Sequence, residues 1–233
     1  MNLARFRVFS FDCYGTLIDW ESGITAALRP WLNAQGAHIP DDEMLACFAD
    51  HEPAEQRAAP DRSYPDILAR VHAALARDWG LTSLDEDAAR FAASVRDWPP
   101  FADSRAGLAA LKRRVRLVVL SNVDRASFAN TQARLGVTFD DVFTAQDIGA
   151  YKPDPRTFAH MLARLAEQGF ETGDILHVAQ SLYHDHVPAK ALGLATCWVD
   201  RGRVQGGAIQ APDVEVTPDI RVSDLAELVA LFG

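Results

Sequence analysis

Residues 6–17 read Phe6-Arg7-Val8-Phe9-Ser10-Phe11-Asp12-Cys13-Tyr14-Gly15-Thr16-Leu17, a short apolar run that stops at an aspartate and passes into a Gly-Thr pair. The run from 6 to 11 has the composition of a buried strand, and the glycine marks the turn that ends it. Asp12 is therefore expected at the C-terminal tip of a strand. Cys13 beside it falls on another face, because side chains alternate along extended backbone, and reads as a core residue.

The same design recurs down the chain. Apolar runs at 116–120, 142–144, 175–179 and 195–199 are followed by polar residues, Ser121-Asn122, Gln180 and Asp200 among them. Helical patterns at 104–113, 125–135, 156–167 and 186–192 separate the runs, the second and last closed by Gly136 and Gly193. Such alternation implies an α/β fold with a Rossmann-like parallel sheet, helices on both faces and ligands outside the carboxyl ends of the strands. Asp12, Ser121 and Asp185 should meet there.

Between Asp19 and Trp98 the strand signal disappears. Helix-like stretches at 24–35, 41–51, 64–79 and 84–95 take its place. We expect an inserted helical cap domain at 19–98, with 1–18 and 99–233 forming the catalytic core. Trp98-Pro99-Pro100-Phe101 is a stiff connection, since proline fixes its own backbone and restricts the residue before it; a hinge is expected there. The Gly-rich stretch 201–212 reads as a mobile loop.

A chain of 233 residues, 48% hydrophobic, can bury a full core. A formal charge of -9, without a long basic tract, argues against nucleic acid as partner. No stretch is long and apolar enough for a membrane span or signal core, so no membrane partner and a cytoplasmic location are expected. Three cysteines without CxxC spacing suggest reduced thiols. A homodimer is left open.

The segment from Phe11 to Leu17, then Ser121-Asn122, then Tyr151-Lys152-Pro153-Asp154, then the segment around Asp185 resemble the ordered motifs of the haloacid dehalogenase superfamily, and most of all its L-2-haloacid dehalogenase (type II) group. The resemblance spans nearly the whole chain, with the helical insertion matching the family's cap. It implies a hydrolase in which Asp12 is the nucleophile and forms a covalent intermediate, splitting one difficult substitution into two easier ones. It implies that Thr16 and loop amides orient Asp12, that Ser121 and Asn122 hold the substrate's anionic group at a helix start, and that Lys152 keeps Asp12 ionised. It assigns to Asp185 the handling of water or of a metal. Each has a plain structural alternative, from turn formation to helix capping.

Two places after the nucleophile, family phosphatases carry an aspartate as general acid; this chain has Tyr14, a poor acid near neutrality and better read as a pocket wall. A halide leaves without a proton. The implied reaction is cleavage of the carbon–halogen bond of short 2-haloalkanoic acids, a small anionic substrate, with no cofactor. The alternative is a phosphatase of small phosphate monoesters with Mg²⁺ on Asp12, the Tyr14 carbonyl and Asp185. The pattern departs from the family at Gln180 and Leu182, where dehalogenases typically carry Ser and Asn. It also lacks an alignable cap arginine, for which Arg29, Arg57 and Arg62 are candidates, and His51, Glu52 and Gln56 could also face the pocket. His184 and His186 flank Asp185 without a recognised metal-ligand spacing.

Overall fold

A computed structural model describes residues 2–202 and 215–232. Its core is a six-stranded, wholly parallel sheet in the order β3-β2-β1-β4-β5-β6, formed by β1 (Val8–Phe11), β2 (Arg116–Ser121), β3 (Asp141–Thr144), β4 (Ile175–Ala179), β5 (Ala195–Val199) and β6 (Ile220–Val222). β1 and β4 are buried at every position, as strands covered on both faces are, and their runs are apolar apart from Ser10 and His177. The order reverses at β1, which pairs with β2 on one side and β4 on the other. That reversal opens a crevice at the carboxyl edge of the sheet.

Residues 20–97 hold helices and contribute nothing to the sheet. α1 (Trp20–Ala34) starts earlier than periodicity suggests, because the Asp19 side chain accepts from the Ser22 amide at 3.1 Å and caps it. Its buried stripe, Ile24, Leu28, Trp31 and Leu32, has helical spacing. α2 (Asp41–Ala58) runs seven residues beyond the expected 41–51, carrying Pro53 in its interior. Proline there forfeits a backbone hydrogen bond, which is why the pattern alone suggests an earlier end. α3 (Tyr64–Asp78), capped by Ser63, packs on α2 and on α4 (Asp85–Ala92).

Two chain crossings join this layer to the sheet, and they lie side by side. Asp19 N–H donates to Pro99 O at 2.8 Å and Phe101 N–H to Leu17 O at 3.0 Å. Trp98 is buried against Gly23, where an added Cβ would come within 2.4 Å of the indole. The remaining helices are α5 (Ser104–Lys112), α6 (Arg125–Leu135), α7 (Ala145–Ile148), α8 (Pro155–Ala166), α9 (Val187–Ala191) and α10 (Leu225–Leu231). β6, α7 and α10 are too short to leave a periodic signal in the sequence.

Most of the stretch expected to be a mobile loop lies outside the described residues. Its first residue is anchored: the Arg201 guanidinium stacks on Phe101 at 4.2 Å and donates to Asp103 and to Thr16 O. Among the described residues no helix is long and apolar enough to cross a membrane.

Candidate active site

Asp12 follows β1 directly, and its amide donates to Val178 O, extending the sheet by one bond. The chain then turns through Gly15, whose φ of +95° is the left-handed region that favours glycine. An added Cβ there would also press on the Trp20 indole at 3.2 Å. This turn returns Thr16 to Asp12: Thr16 Oγ1 donates to Asp12 Oδ2 at 2.6 Å and accepts from the Gln180 amide at 2.9 Å.

Lys152 arrives from the loop after α7. Its backbone is clamped by Asn122, whose Oδ1 accepts from the Lys152 amide at 2.7 Å and whose Nδ2 donates to Lys152 O at 3.1 Å. The buried ammonium donates to Asp12 Oδ1 at 2.8 Å, Asp185 Oδ1 at 2.7 Å and Leu120 O at 3.0 Å. One cation thus serves two carboxylates. Burial works against the Lys152 charge, but Asp12 and Asp185 raise its pKa, so it remains an ammonium. Burial pushes the Asp12 carboxyl above its usual range, with Lys152 and Thr16 pulling back and Asp185 adding repulsion. Burial opposes ionisation of Asp185 too, yet Lys152 and His177 hold its carboxyl well below the ordinary range.

Sequence reasoning misses His177. It sits in the middle of β4, an apolar strand, fully buried, with Nε2 at 3.0 Å from Asp185 Oδ1 and Nδ1 at 2.9 Å from Ser10 Oγ. The only signal is one imidazole inside an apolar run, which more often marks a satisfied core histidine.

The pocket above these groups is lined by Asp12, Asn122, Lys152 and Asp185 at its floor. Tyr14, Trp20, Phe48, Tyr64 and Trp98 form aromatic walls, with Glu52 and Gln56 from α2. Tyr14 Oη pairs with Thr131 Oγ1 at 2.7 Å, its ring meets Trp98 edge to face, and burial carries its phenol well above the ordinary value. Its ring lines the pocket.

Several candidates fall elsewhere. Ser121 is buried with its hydroxyl unpartnered and does not line the pocket. Gln180 does line it, together with Ser181, and Leu182 does not. Arg29 is taken by Ile39 O and Asp41, Arg57 borders a separate cleft, and Arg62 is exposed on the loop before α3. Among the described residues no arginine lines the pocket. His51 pairs with Asp78, away from it. His184 reaches the pocket while His186 turns to Ala179 O. Burial lowers both to about 4, so both are neutral at pH 7.

A magnesium ion on Asp12, the Tyr14 carbonyl and Asp185 would need carboxylate lone pairs directed at one point. Lys152 Nζ already holds the point shared by the two Oδ1 atoms, and Thr16 takes Asp12 Oδ2. The residues fit an internal ammonium better than a divalent ion.

Acidic and basic side chains converging at the carboxyl edge of an open parallel sheet are the architecture of an enzyme. Residues 6–191 match the model of haloacid dehalogenase-like hydrolases, and the chain belongs to that family. It is 25% identical over 232 residues to an (S)-2-haloacid dehalogenase of Pseudomonas putida, covering 94% of this chain and 92% of that one. It is 31% identical over 136 residues to a phosphoserine phosphatase of Thermus thermophilus, covering 57% of this chain and 51% of that one. A crystal structure of an L-2-haloacid dehalogenase superposes with a TM-score of 0.79 at 27% identity, covering 97% of each chain.

Proposed function

We propose that this hydrolase cleaves the carbon–halogen bond of short 2-haloalkanoic acids through an ester on Asp12. The observation that carries the reading is Tyr14. Its hydroxyl is engaged by Thr131 and its phenol held above its usual pKa, so it offers no proton to an alkoxide leaving group, and a halide needs none. Likeness over nearly the full chain to an (S)-2-haloacid dehalogenase supports the same reaction.

In this scheme an Asp12 carboxylate oxygen attacks the second carbon of the substrate. The new C–O bond forms as the carbon–halogen bond breaks and halide departs with its electron pair, inverting that centre. Lys152 lies against one Asp12 oxygen and Thr16 against the other, fixing the carboxylate for attack. Water, oriented with help from Asp185, then adds to the Asp12 carboxyl carbon; the bond from that carbon to the substrate oxygen breaks, one water proton passes to that oxygen to give the 2-hydroxy acid, and the other leaves to solvent as the carboxylate is regenerated. Residues 19–98 act as the cap that excludes water from the first step.

Halide and phosphate release should be followed with short 2-haloacids and phosphate monoesters, in EDTA and then in Mg²⁺. Halide release indifferent to EDTA is expected. Phosphate release that requires Mg²⁺, with no halide from any haloacid, would replace this reading with a phosphatase. Asp12→Asn should lose at least about 10⁴-fold in turnover, and single-turnover hydrolysis in ¹⁸O water should label the Asp12 carboxylate; label confined to product would rule out the ester.

A further inference from the structure

A substrate carboxylate entering this pocket meets an unusual charge balance. Two carboxylates, Asp12 and Asp185, share the single ammonium of Lys152. No arginine among the described residues lines the pocket to offset an incoming anion. The polar groups of the wall that α2 supplies are Glu52 and Gln56, four residues apart and so on one helix face. Gln56 is buried to 6% exposure, yet its side-chain amide has no hydrogen-bond partner among the described residues, while it borders the pocket. An amide at the wall of a cavity, with no partner in the surrounding protein, is free to bind what enters it. Glu52 is fixed from the other side, by Tyr64 Oη donating to Oε1 at 2.7 Å.

We propose that Glu52 and Gln56 together grip the substrate's carboxylate by uncharged hydrogen bonds, the Glu52 carboxyl O–H and the Gln56 N–H donating, in place of a guanidinium. The inference rests on the haloacid reading above and names the groups that recognise the acid.

Burial pushes the Glu52 carboxyl up to about 7, with the Tyr64 hydrogen bond opposing. Apart from the Tyr64 hydrogen bond, no group facing it pulls the carboxyl back down. The phenols of Tyr64 from α3 and of Tyr151 beside Lys152 are both raised by burial and stay neutral. His184, from the turn after β4, is neutral at pH 7. The floor, with Asp12, Lys152 and Asp185, carries one net negative charge, which disfavours a second carboxylate above it. An anionic substrate is therefore welcome while Glu52 holds its proton and is repelled once it is lost.

Binding can be tested apart from turnover, because Trp20 and Trp98 line the pocket and report occupancy by fluorescence. Propionate and propionamide serve as inert probes of equal shape and different charge, titrated into the full chain. From pH 6 to pH 8 the Kd of propionate should rise on the order of tenfold, the loss of protonated Glu52 across a pKa of about 7. The Kd of propionamide should stay level. Glu52→Gln, which donates an N–H at every pH, should abolish the pH dependence, and Gln56→Leu should weaken propionate severalfold at pH 6. Propionate binding that is unchanged from pH 6 to 8, or that weakens equally in Glu52→Gln, would overturn the proposal. If propionate behaves as expected but no haloacid releases halide, the grip stands and the dehalogenase reading falls; halide release with pH-independent propionate binding would remove the grip alone.

Discussion

The floor and the helical wall of the pocket are built on opposite principles. The floor is a set of strand tips and tight loops in which nearly every polar atom is held twice: Thr16 between Asp12 and the Gln180 amide, Lys152 between two carboxylates, His177 between Asp185 and Ser10. The wall is packed through Trp, Tyr and Phe rings, most of them on helices, with few polar side chains. Chemistry demands groups fixed within a fraction of an ångström, whereas selection of a small substrate demands shape and a few hydrogen bonds. A change at the floor should therefore cost both stability and turnover, and a change in the wall should cost little of either.

The sharpest way to break this contrast is Lys152→Met. It leaves two buried carboxylates without a cation, a loss of about 3–5 kcal/mol, lowering Tm on the order of 10 °C. Turnover should vanish at neutral pH, because the Asp12 carboxyl, already raised by burial, loses the ammonium that opposes the rise. Retention of both Tm and activity would mean that the floor does not work as a coupled ion cluster. Calorimetry and halide release read the two halves separately.

His177→Phe is a milder test of the same region. The variant removes a hydrogen bond to the ionised Asp185, a contribution of about 1.5–3 kcal/mol. Because the folded-state pKa of Asp185 lies below its ordinary 3.8, its stabilisation is present above that value and lost as pH falls toward the folded pKa. Weakening the depression should move the acid-unfolding midpoint upward and lower stability at pH 7. An unshifted acid midpoint would leave His177 as simple packing.

The smallest effect is expected in the wall. Tyr14→Phe keeps the ring against Trp98 and loses only the bond to Thr131, about 1 kcal/mol of stability, with turnover nearly unchanged. Turnover that drops by about 10²-fold or more would make the phenol an acid and revive the phosphatase reading.

Much of the floor is legible in the amino-acid sequence. Asp12 stands out because an apolar strand run and a Gly-Thr turn place it at a strand tip, whereas Thr16, Lys152 and Asp185 are singled out only by their resemblance to ordered motifs, since a turn threonine and a loop lysine are common by themselves. Asn122 is expected at the site in another role: its side chain braces Lys152, and only the pairing of two loops thirty residues apart reveals that. Ser121 is expected among the substrate's ligands and lies off the pocket lining, since facing at a strand end is set by register.

The wall is nearly illegible. Pro53 makes α2 seem to end before Glu52 and Gln56, which leaves them pocket candidates with no role and an exposed helix end as the alternative; the helix in fact continues, and both line the pocket while His51 does not. The arginine candidates look equivalent in sequence, and only contacts such as Arg29 with Asp41 exclude them. The sequence by itself determined the alternating pattern that makes a parallel sheet and the acidic strand tip at its edge, because periodicity and turn chemistry act over a few residues. Tertiary structure alone decided that one ammonium serves two carboxylates, that His177 supports one of them and that no arginine among the described residues answers the substrate. Each of these depends on side chains brought together from distant segments and on the water their packing excludes.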